Sequence, residues 1–150
     1  MAVTKEQVVD ILLPEEPDFS EASSAIGPDA LPYLRDLISG DDIHLAVKAA
    51  SFAGFLASDD AVDVVRLAAS HPDPRVRCAA AAGARNLRGT GAADVVAQML
   101  ADDDVGVRKF ALRAVPTDVP DSLRKQIETI RANDENPSLR TLAARVLEGA

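Results

Sequence analysis

Apolar residues along the chain recur at the intervals expected of helices, and the whole arrangement repeats. Inside one segment, Val64, Val65 and Ala68 follow the three- and four-residue spacing that places apolar side chains on one helical face. Equivalent apolar positions return 31 or 32 residues later. The two clearest series are Leu34, Val65, Val96 and Ile127, and Leu45, Val76, Val107 and Leu139. Because both series share one period, the pattern predicts a two-helix unit that occurs four times.

Residues with strong preferences for helix ends mark where these helices begin and stop. Asp73 and Asn136 each precede a proline. Aspartate and asparagine are favoured at the N-cap and proline at the first helical position, so both pairs indicate a helix start. Pro116 is expected to end another helix. We therefore predict an all-α protein, an α-α superhelix of about four helix pairs with a short N-terminal helical cap. The predicted single domain comprises a cap helix and bend at 1–28 and repeats at about 29–58, 59–89, 90–118 and 119–150.

Gly83 lies inside one of the predicted helices, among alanines. Glycine in a helix interior costs roughly 1 kcal/mol relative to alanine, so the position needs a reason. We expect the backbone of a neighbouring helix to approach Gly83 too closely for a side chain.

The second helix of each unit carries a recurring motif. Asp73-Pro-Arg-Val-Arg-Cys-Ala-Ala recurs as Asp104-Val-Gly-Val-Arg-Lys-Phe-Ala and as Asn136-Pro-Ser-Leu-Arg-Thr-Leu-Ala. The motif resembles the second-helix signature of short HEAT-like repeats, of the kind found in phycobilisome-lyase-type proteins. This resemblance implies a ladder of hydrogen bonds between turns, with the members Asp73 and Arg77, Asp104 and Arg108, and Asn136 and Arg140. The first unit departs from the motif, because Ala46 stands in the arginine position.

Charge is unevenly distributed over these units. The chain has a formal net charge of −8, yet basic residues concentrate in the second helices. Residues two, six and nine positions after each apolar anchor should point away from the core, and the resemblance implies that the second helices line the concave side. The predicted partner-binding residues are the basic Arg85, Lys109, Arg113 and Arg145, with a floor formed by Ser51, Phe55, Cys78 and Ala82. These residues predict docking of an acidic segment of a partner protein. The alternative is a solvated charged face without a partner.

The composition argues against catalysis and against a bound metal or cofactor. One cysteine excludes an internal disulfide and a cysteine zinc cluster, and it fits the reducing cytoplasm. A nucleophilic pair would need Cys78 beside His44 or His71, and no third residue is evident to orient the histidine. No apolar run approaches the ~20 residues that a membrane span requires. We therefore expect a non-enzymatic adaptor, scaffold or regulator without cofactors.

Two alternative functions and a homodimer interface are not excluded by the sequence. The alternatives are binding of a nucleic-acid backbone and an enzyme of the HEAT-like lyase or glycosylase type. With 3% aromatic residues and a pI near 4.7, neither base stacking nor phosphate binding is favoured. A homodimer through the C-terminal repeat is a further hypothesis, since an apolar end is expected there. That expected end comprises Leu139, Leu142, Val146 and Leu147.

Overall fold

The computed structural model describes residues 2–56, 58–87 and 91–149. Throughout these ranges the regular structure is helical, and a 3₁₀ turn at Pro28–Ala30 precedes the third α-helix. The α-helices are α1 (Lys5–Leu12), α2 (Phe19–Ile26), α3 (Leu31–Ile38), α4 (Ile43–Ala53), α5 (Asp59–Ala69), α6 (Pro74–Ala84), α7 (Ala92–Leu100), α8 (Val105–Ala114), α9 (Asp121–Asn133) and α10 (Pro137–Leu147). The predicted all-α superhelix is confirmed.

Helices α3 to α10 form four successive pairs that stack in two layers. Each first helix packs on its own second helix, in the pairs α3 with α4, α5 with α6, α7 with α8 and α9 with α10. The first helices contact one another in order, and so do the second helices α4, α6, α8 and α10, which we call the second-helix layer. The predicted repeat boundaries fit this order but stay a prediction, and the boundary between residues 89 and 90 lies outside the described residues.

Capping side chains explain why the second helices begin at equivalent positions. The side chains of Asp42, Asp73, Asp104 and Asn136 each accept a hydrogen bond from a backbone N–H in the first turn. A satisfied N-cap of this kind stabilises a helix by about 1 kcal/mol. Each second helix therefore begins at the same place in its unit.

The second-helix layer is held together by small residues. A Cβ atom on Gly83 would lie 3.0 Å from the Ala50 carbonyl oxygen and 3.1 Å from that of Ser51, so the predicted close backbone contact at Gly83 is confirmed. A Cβ on Gly54 would overlap the Gly83 carbonyl group itself. Ala80, three residues before Gly83 on α6, is fully buried. Helices α4 and α6 thus pack backbone against backbone at Gly54 and Gly83, where a side chain would not fit without displacement.

The N-terminal segment covers the first helix pair. Val8 and Leu12 of α1 are fully buried, and the Tyr33 hydroxyl donates to the Val3 carbonyl at 3.0 Å. The Phe19 ring of α2 stacks on Phe52 of α4 with centroids 5.2 Å apart. This segment is the N-terminal helical cap, and it packs against α3 and α4. None of the helices described is both long and apolar enough to cross a membrane.

Candidate functional site

An arginine of the second pair binds an aspartate of the third pair. Arg77 Nε donates to Asp102 Oδ2 at 2.9 Å, and its Nη2 donates to Oδ1 at 3.3 Å. The third nitrogen, Nη1, donates to the carbonyl oxygens of His71 and Pro72 at 2.9 and 3.1 Å. The guanidinium therefore joins its own turn to the next one. Its carboxylate partner is Asp102, rather than the Asp73 implied by the family resemblance.

The same arrangement recurs one pair later. Arg108 Nε and Nη2 bind Asp134 at 3.0 and 3.4 Å, while Nη1 donates to the carbonyls of Asp102 and Asp103. The Arg108 and Asp134 side chains are only 15% and 6% exposed. Asp102 thus accepts from Arg77 through its carboxylate and from Arg108 through its carbonyl. We call the Arg77–Asp102 and Arg108–Asp134 contacts the ladder.

Sequence reasoning missed Asp102 and Asp134, although a signal for them exists. Each stands two residues before the N-cap of a second helix, and the equivalent residue in the second pair is His71. All three accept a hydrogen bond at 2.9 Å from the backbone N–H of that N-cap residue. Where the preceding pair supplies an arginine, this position is aspartate; where it supplies Ala46, the position is histidine. Such paired variation between neighbouring units could have identified the ladder.

The N-cap residues Asp73, Asp104 and Asn136 have a local role in helix initiation. The Asp73 carboxylate also binds its own neighbour, with Arg75 Nη2 donating to Oδ2 at 2.7 Å. The Arg75 guanidinium lowers the pKa of Asp73 to about 2, and the hydrogen bond from the Arg75 backbone N–H acts in the same direction. A lowered pKa means that the folded protein favours the ionised carboxylate.

The lowered pKa gives a prediction for acid titration. Because the folded pKa lies below the ordinary value of 3.8, any stability from the Asp73–Arg75 contact is present above that value and is lost as pH falls towards 2. NMR titration of the Asp73 carboxyl group should give a midpoint near 2, which Arg75→Ala should raise towards 3.8. A midpoint that Arg75→Ala leaves unchanged would show that the side-chain contact does not set the pKa.

The four basic residues of the predicted partner-binding set are all exposed, and we call them the basic surface. Arg85 follows α6, Lys109 and Arg113 lie on α8, and Arg145 lies on α10. The Arg113 guanidinium lies over the Phe110 ring, 5.8 Å from its centroid. This cation–π contact holds the side chain against the second-helix layer. The basic surface therefore extends across three successive second helices.

Two of these arginines meet at one cavity. Arg85 and Arg113 both line a cavity of about 840 Å³ between the second, third and fourth pairs, whereas Lys109 and Arg145 are exposed outside its lining. Apolar and proline side chains form much of its wall, including Val96, Pro116, Pro120, Leu123, Leu142 and Val146. The structure thus combines positive charge with an apolar recess, and sequence reasoning did not identify this recess.

The predicted floor residues lie elsewhere, and none of the four lines the cavity. Phe55 packs against Phe19 of the cap with ring centroids 5.8 Å apart. The Ser51 backbone approaches Gly83 of α6, and Cys78 Sγ lies 3.9 Å from Asp104 Oδ1 at the start of α8. Ala82 alone among the four is classed as exposed. Contacts with the cap and with neighbouring second helices thus involve Ser51, Phe55 and Cys78, so these three residues do not form an open floor beside the basic residues.

The Cys78 thiol is held in its neutral form. Partial burial raises its pKa, and the carboxylates of Asp104 and Asp102 add to that effect. A nucleophilic cysteine needs a lowered pKa, since the thiolate is the reactive species. The surroundings of Cys78 therefore favour an inert side chain at the α6–α8 contact.

A thiol reaction rate tests this environment. We expect Cys78 in the folded protein to react with a disulfide reagent near pH 8 more slowly than in the urea-unfolded chain. Asp104→Asn should speed the folded reaction, because asparagine is an equally good N-cap but carries no charge. Equal rates for the folded and unfolded chains, or a slower rate in the Asn variant, would contradict the assigned causes.

The expected apolar C-terminal end is largely covered within the chain. Leu139 is 2% exposed, and Leu142, Val146 and Leu147 are half-buried against the core. These three side chains therefore pack against the core but keep part of their surface accessible. The homodimer through this repeat stays a prediction, without a contact that favours it.

Stacked helix pairs joined through their turns define this chain as an α-solenoid of short helical repeats. A family model described as HEAT repeats matches residues 31–116, which is more than half of the chain and spans α3 to α8. The chain belongs to the HEAT-repeat family. A search of curated proteins gives no match. HEAT repeats generally mediate protein–protein interactions and are typically non-catalytic. The phycobilisome-lyase subtype stays a prediction.

Proposed function

We propose that this chain is a non-catalytic protein-interaction module, an adaptor, scaffold or regulator that binds an acidic partner segment on its second-helix layer. The observation that carries the proposal is the cavity where Arg85 and Arg113 accompany apolar walls. Solenoid proteins commonly bind partners along the inner layer of their helices. The basic surface of an otherwise acidic chain supplies the charge that such a partner segment complements.

The cavity and the charges favour a segment with two kinds of side chain. Carboxylates of the segment would bind the guanidinium groups, which match carboxylate geometry through paired N–H donors. Apolar side chains would enter the recess, where burial contributes about 25 cal/mol for each Å² removed from water. The exposed Lys109 and Arg145 would lie beside the bound segment and speed its association through long-range attraction.

Other functions have less support in the described residues. A nucleic-acid site would need aromatic stacking or a broad positive field, and the chain carries 3% aromatic residues and a net charge of −8. An enzyme of the lyase or glycosylase type would need an activated group, and Cys78 is instead held neutral. The free thiol of Cys78 supports a reducing compartment such as the cytoplasm as the place of this interaction.

Matched charge-reversal variants test the proposal. The first variant changes the basic surface to glutamate at Arg85, Lys109, Arg113 and Arg145. The control changes four exposed basic residues of the first helices to glutamate, at Arg35, Arg124, Lys125 and Arg131. Both variants carry the same formal net charge, so a difference between them reports position rather than total charge.

Binding of a short glutamate–leucine peptide is the measurement, with a glutamine–leucine peptide as the uncharged probe. We expect the wild-type chain and the first-helix control to bind the acidic peptide, with an affinity that falls as salt rises. The basic-surface variant should lose this binding while keeping its helicity and Tm. If that variant unfolds, a triple variant that retains Arg85 replaces it, and the matched control then retains Arg35. Equal binding by both charge variants, or no binding by the wild type, would overturn the proposal.

A further inference from the structure

Three equivalent arginines are oriented by the same contact with their own turn. Nη1 of Arg77, Arg108 and Arg140 donates to the carbonyl oxygen six residues earlier, at 2.9, 2.9 and 2.6 Å. This contact orients each guanidinium group through its own turn, independently of any partner in the next helix pair. In Arg77 and Arg108 the remaining donors, Nε and Nη2, reach the following helix pair.

The three arginines differ in the hydrogen-bond partners of their Nε and Nη2 atoms. In Arg77 and Arg108 they bind an aspartate of the next pair, Asp102 or Asp134. In Arg140, neither Nε nor Nη2 has a hydrogen-bond partner among residues 2–56, 58–87 and 91–149. Arg140 is half-buried as a residue, and these two donors lack a carboxylate among the described residues. A paired N–H fork held in this way is preorganised for a carboxylate.

We propose that Arg140, Thr141, Ala144 and Leu147 form a docking face for a helix–turn–helix unit of a partner protein. The partner's recognition feature is an aspartate two residues before the N-cap of its second helix. Its carboxylate would bind Arg140 Nε and Nη2 as Asp102 binds Arg77 and Asp134 binds Arg108. This face is separate from the basic surface and does not depend on it.

The shape of the docking face specifies the partner further. Its residues Thr141 and Ala144 are equivalent to Cys78 and Ala81 of α6, which are similar in size. On α6, that surface receives the start of α8, where a Cβ on Gly106 would lie 3.1 Å from Cys78 Sγ. A partner helix that seats on α10 in the same way therefore needs a small residue at its second position.

A second copy stacked head to tail does not supply the aspartate that Arg140 would bind. The equivalent position in the first pair, two residues before the N-cap Asp42, is Gly40, which has no carboxylate. The same side of the first pair is also covered by α1 and α2, with Phe19 stacked on Phe52. The expected occupant is therefore a helix–turn–helix unit with the aspartate turn, and not the first pair of a second copy.

A helical hairpin taken from this chain is the probe for the docking face. A synthetic peptide of residues 91–116 contains Asp102 and Gly106 and forms the unit that contacts Arg77 and Cys78 in the folded chain. A cross-link between positions 109 and 113, which are exposed and one helical turn apart, keeps its second helix formed. The probe is titrated into the full chain, and binding is followed by fluorescence anisotropy.

We expect saturable binding that weakens about tenfold or more with Arg140→Gln in the chain or Asp102→Asn in the probe. Arg140→Lys should weaken binding as well, because lysine keeps the charge but not the paired donors. This second variant keeps the test valid if Arg140→Gln impairs folding. Arg131→Gln on α9, an exposed basic residue outside both the docking face and the basic surface, is the control and should leave binding unchanged. No saturable binding, or binding that ignores Arg140→Gln, would overturn the proposal. Self-association of the chain alone that Arg140→Gln abolishes would overturn it in favour of a second copy.

Discussion

Replacing Arg108 with alanine is expected to destabilise the protein by about 3 kcal/mol, because it leaves a shielded carboxylate without its partner. The substitution removes both bonds to Asp134 and both bonds to backbone carbonyls of the preceding turn. Asp134 is 6% exposed, so water replaces the lost guanidinium only in part. Chemical denaturation should show the lower free energy of unfolding, and Tm should fall by roughly 6–12 °C.

Arg75→Ala is the matched control for this prediction. Arg75 also binds an aspartate at a turn, but its side chain is 65% exposed and the contact stays within one unit. Exposed ion pairs contribute little to stability, so this variant should unfold almost like the wild type. A double-mutant cycle of Arg108→Ala with Asp134→Ala then isolates their coupling. Equal effects of Arg108→Ala and Arg75→Ala would show that the ladder does not hold the repeats together.

Gly54→Ala is expected to destabilise the protein by about 3 kcal/mol, although helix propensity alone predicts a gain. Gly54 ends α4 with φ −65° and ψ −20°, a conformation open to any residue. Its Cβ would nevertheless overlap the Gly83 carbonyl and lie 2.9 Å from Gly83 Cα. Because both obstacles are backbone atoms, α4 and α6 must separate to admit the methyl group. Urea denaturation measures the loss.

Gly40→Ala supplies the comparison for Gly54→Ala. A Cβ on Gly40 would lie 3.4 and 3.5 Å from the Asp36 and Leu37 carbonyl oxygens, which is ordinary contact. We expect this variant to be as stable as the wild type or slightly more so. Unchanged stability in both glycine variants would mean that α4 and α6 do not pack as closely as described.

Together these variants distinguish two ways of joining neighbouring repeats. The first and second pairs lack the ladder, since Ala46 and His71 occupy its positions, and there Gly54 and Gly83 bring the backbones together. The later pairs use the Arg77 and Arg108 contacts instead. Between the first and second pairs, close backbone packing at Gly54 and Gly83 thus replaces the arginine–aspartate contact that joins the later pairs.

The repeat could be predicted from sequence because its causes are local. Apolar spacing determines which face of each helix is buried, and a residue such as Asp73 before Pro74 caps a helix through its own turn. The close contact at Gly83 could also be anticipated, because glycine in a helix interior needs a compensating approach. These inferences require no knowledge of how far one helix pair rotates against the next.

The ladder partners and the cavity depend on that rotation. Arg77 reaches Asp102, 25 residues further along the chain, only because stacking brings the two turns together. Phe55 was expected in the binding floor but packs against Phe19, since the cap takes the place of a preceding repeat. The recess beside Arg113 forms where three pairs meet, and no single motif encodes it.

The central claim, that a protein partner binds the basic surface, is tested most directly by affinity capture from a native lysate with three baits. The baits are the wild-type chain, the basic-surface variant and the first-helix control of equal net charge. The account predicts partner proteins that the wild type and the control retain and the basic-surface variant loses. The same proteins on all three baits, or none on the wild type, would contradict it.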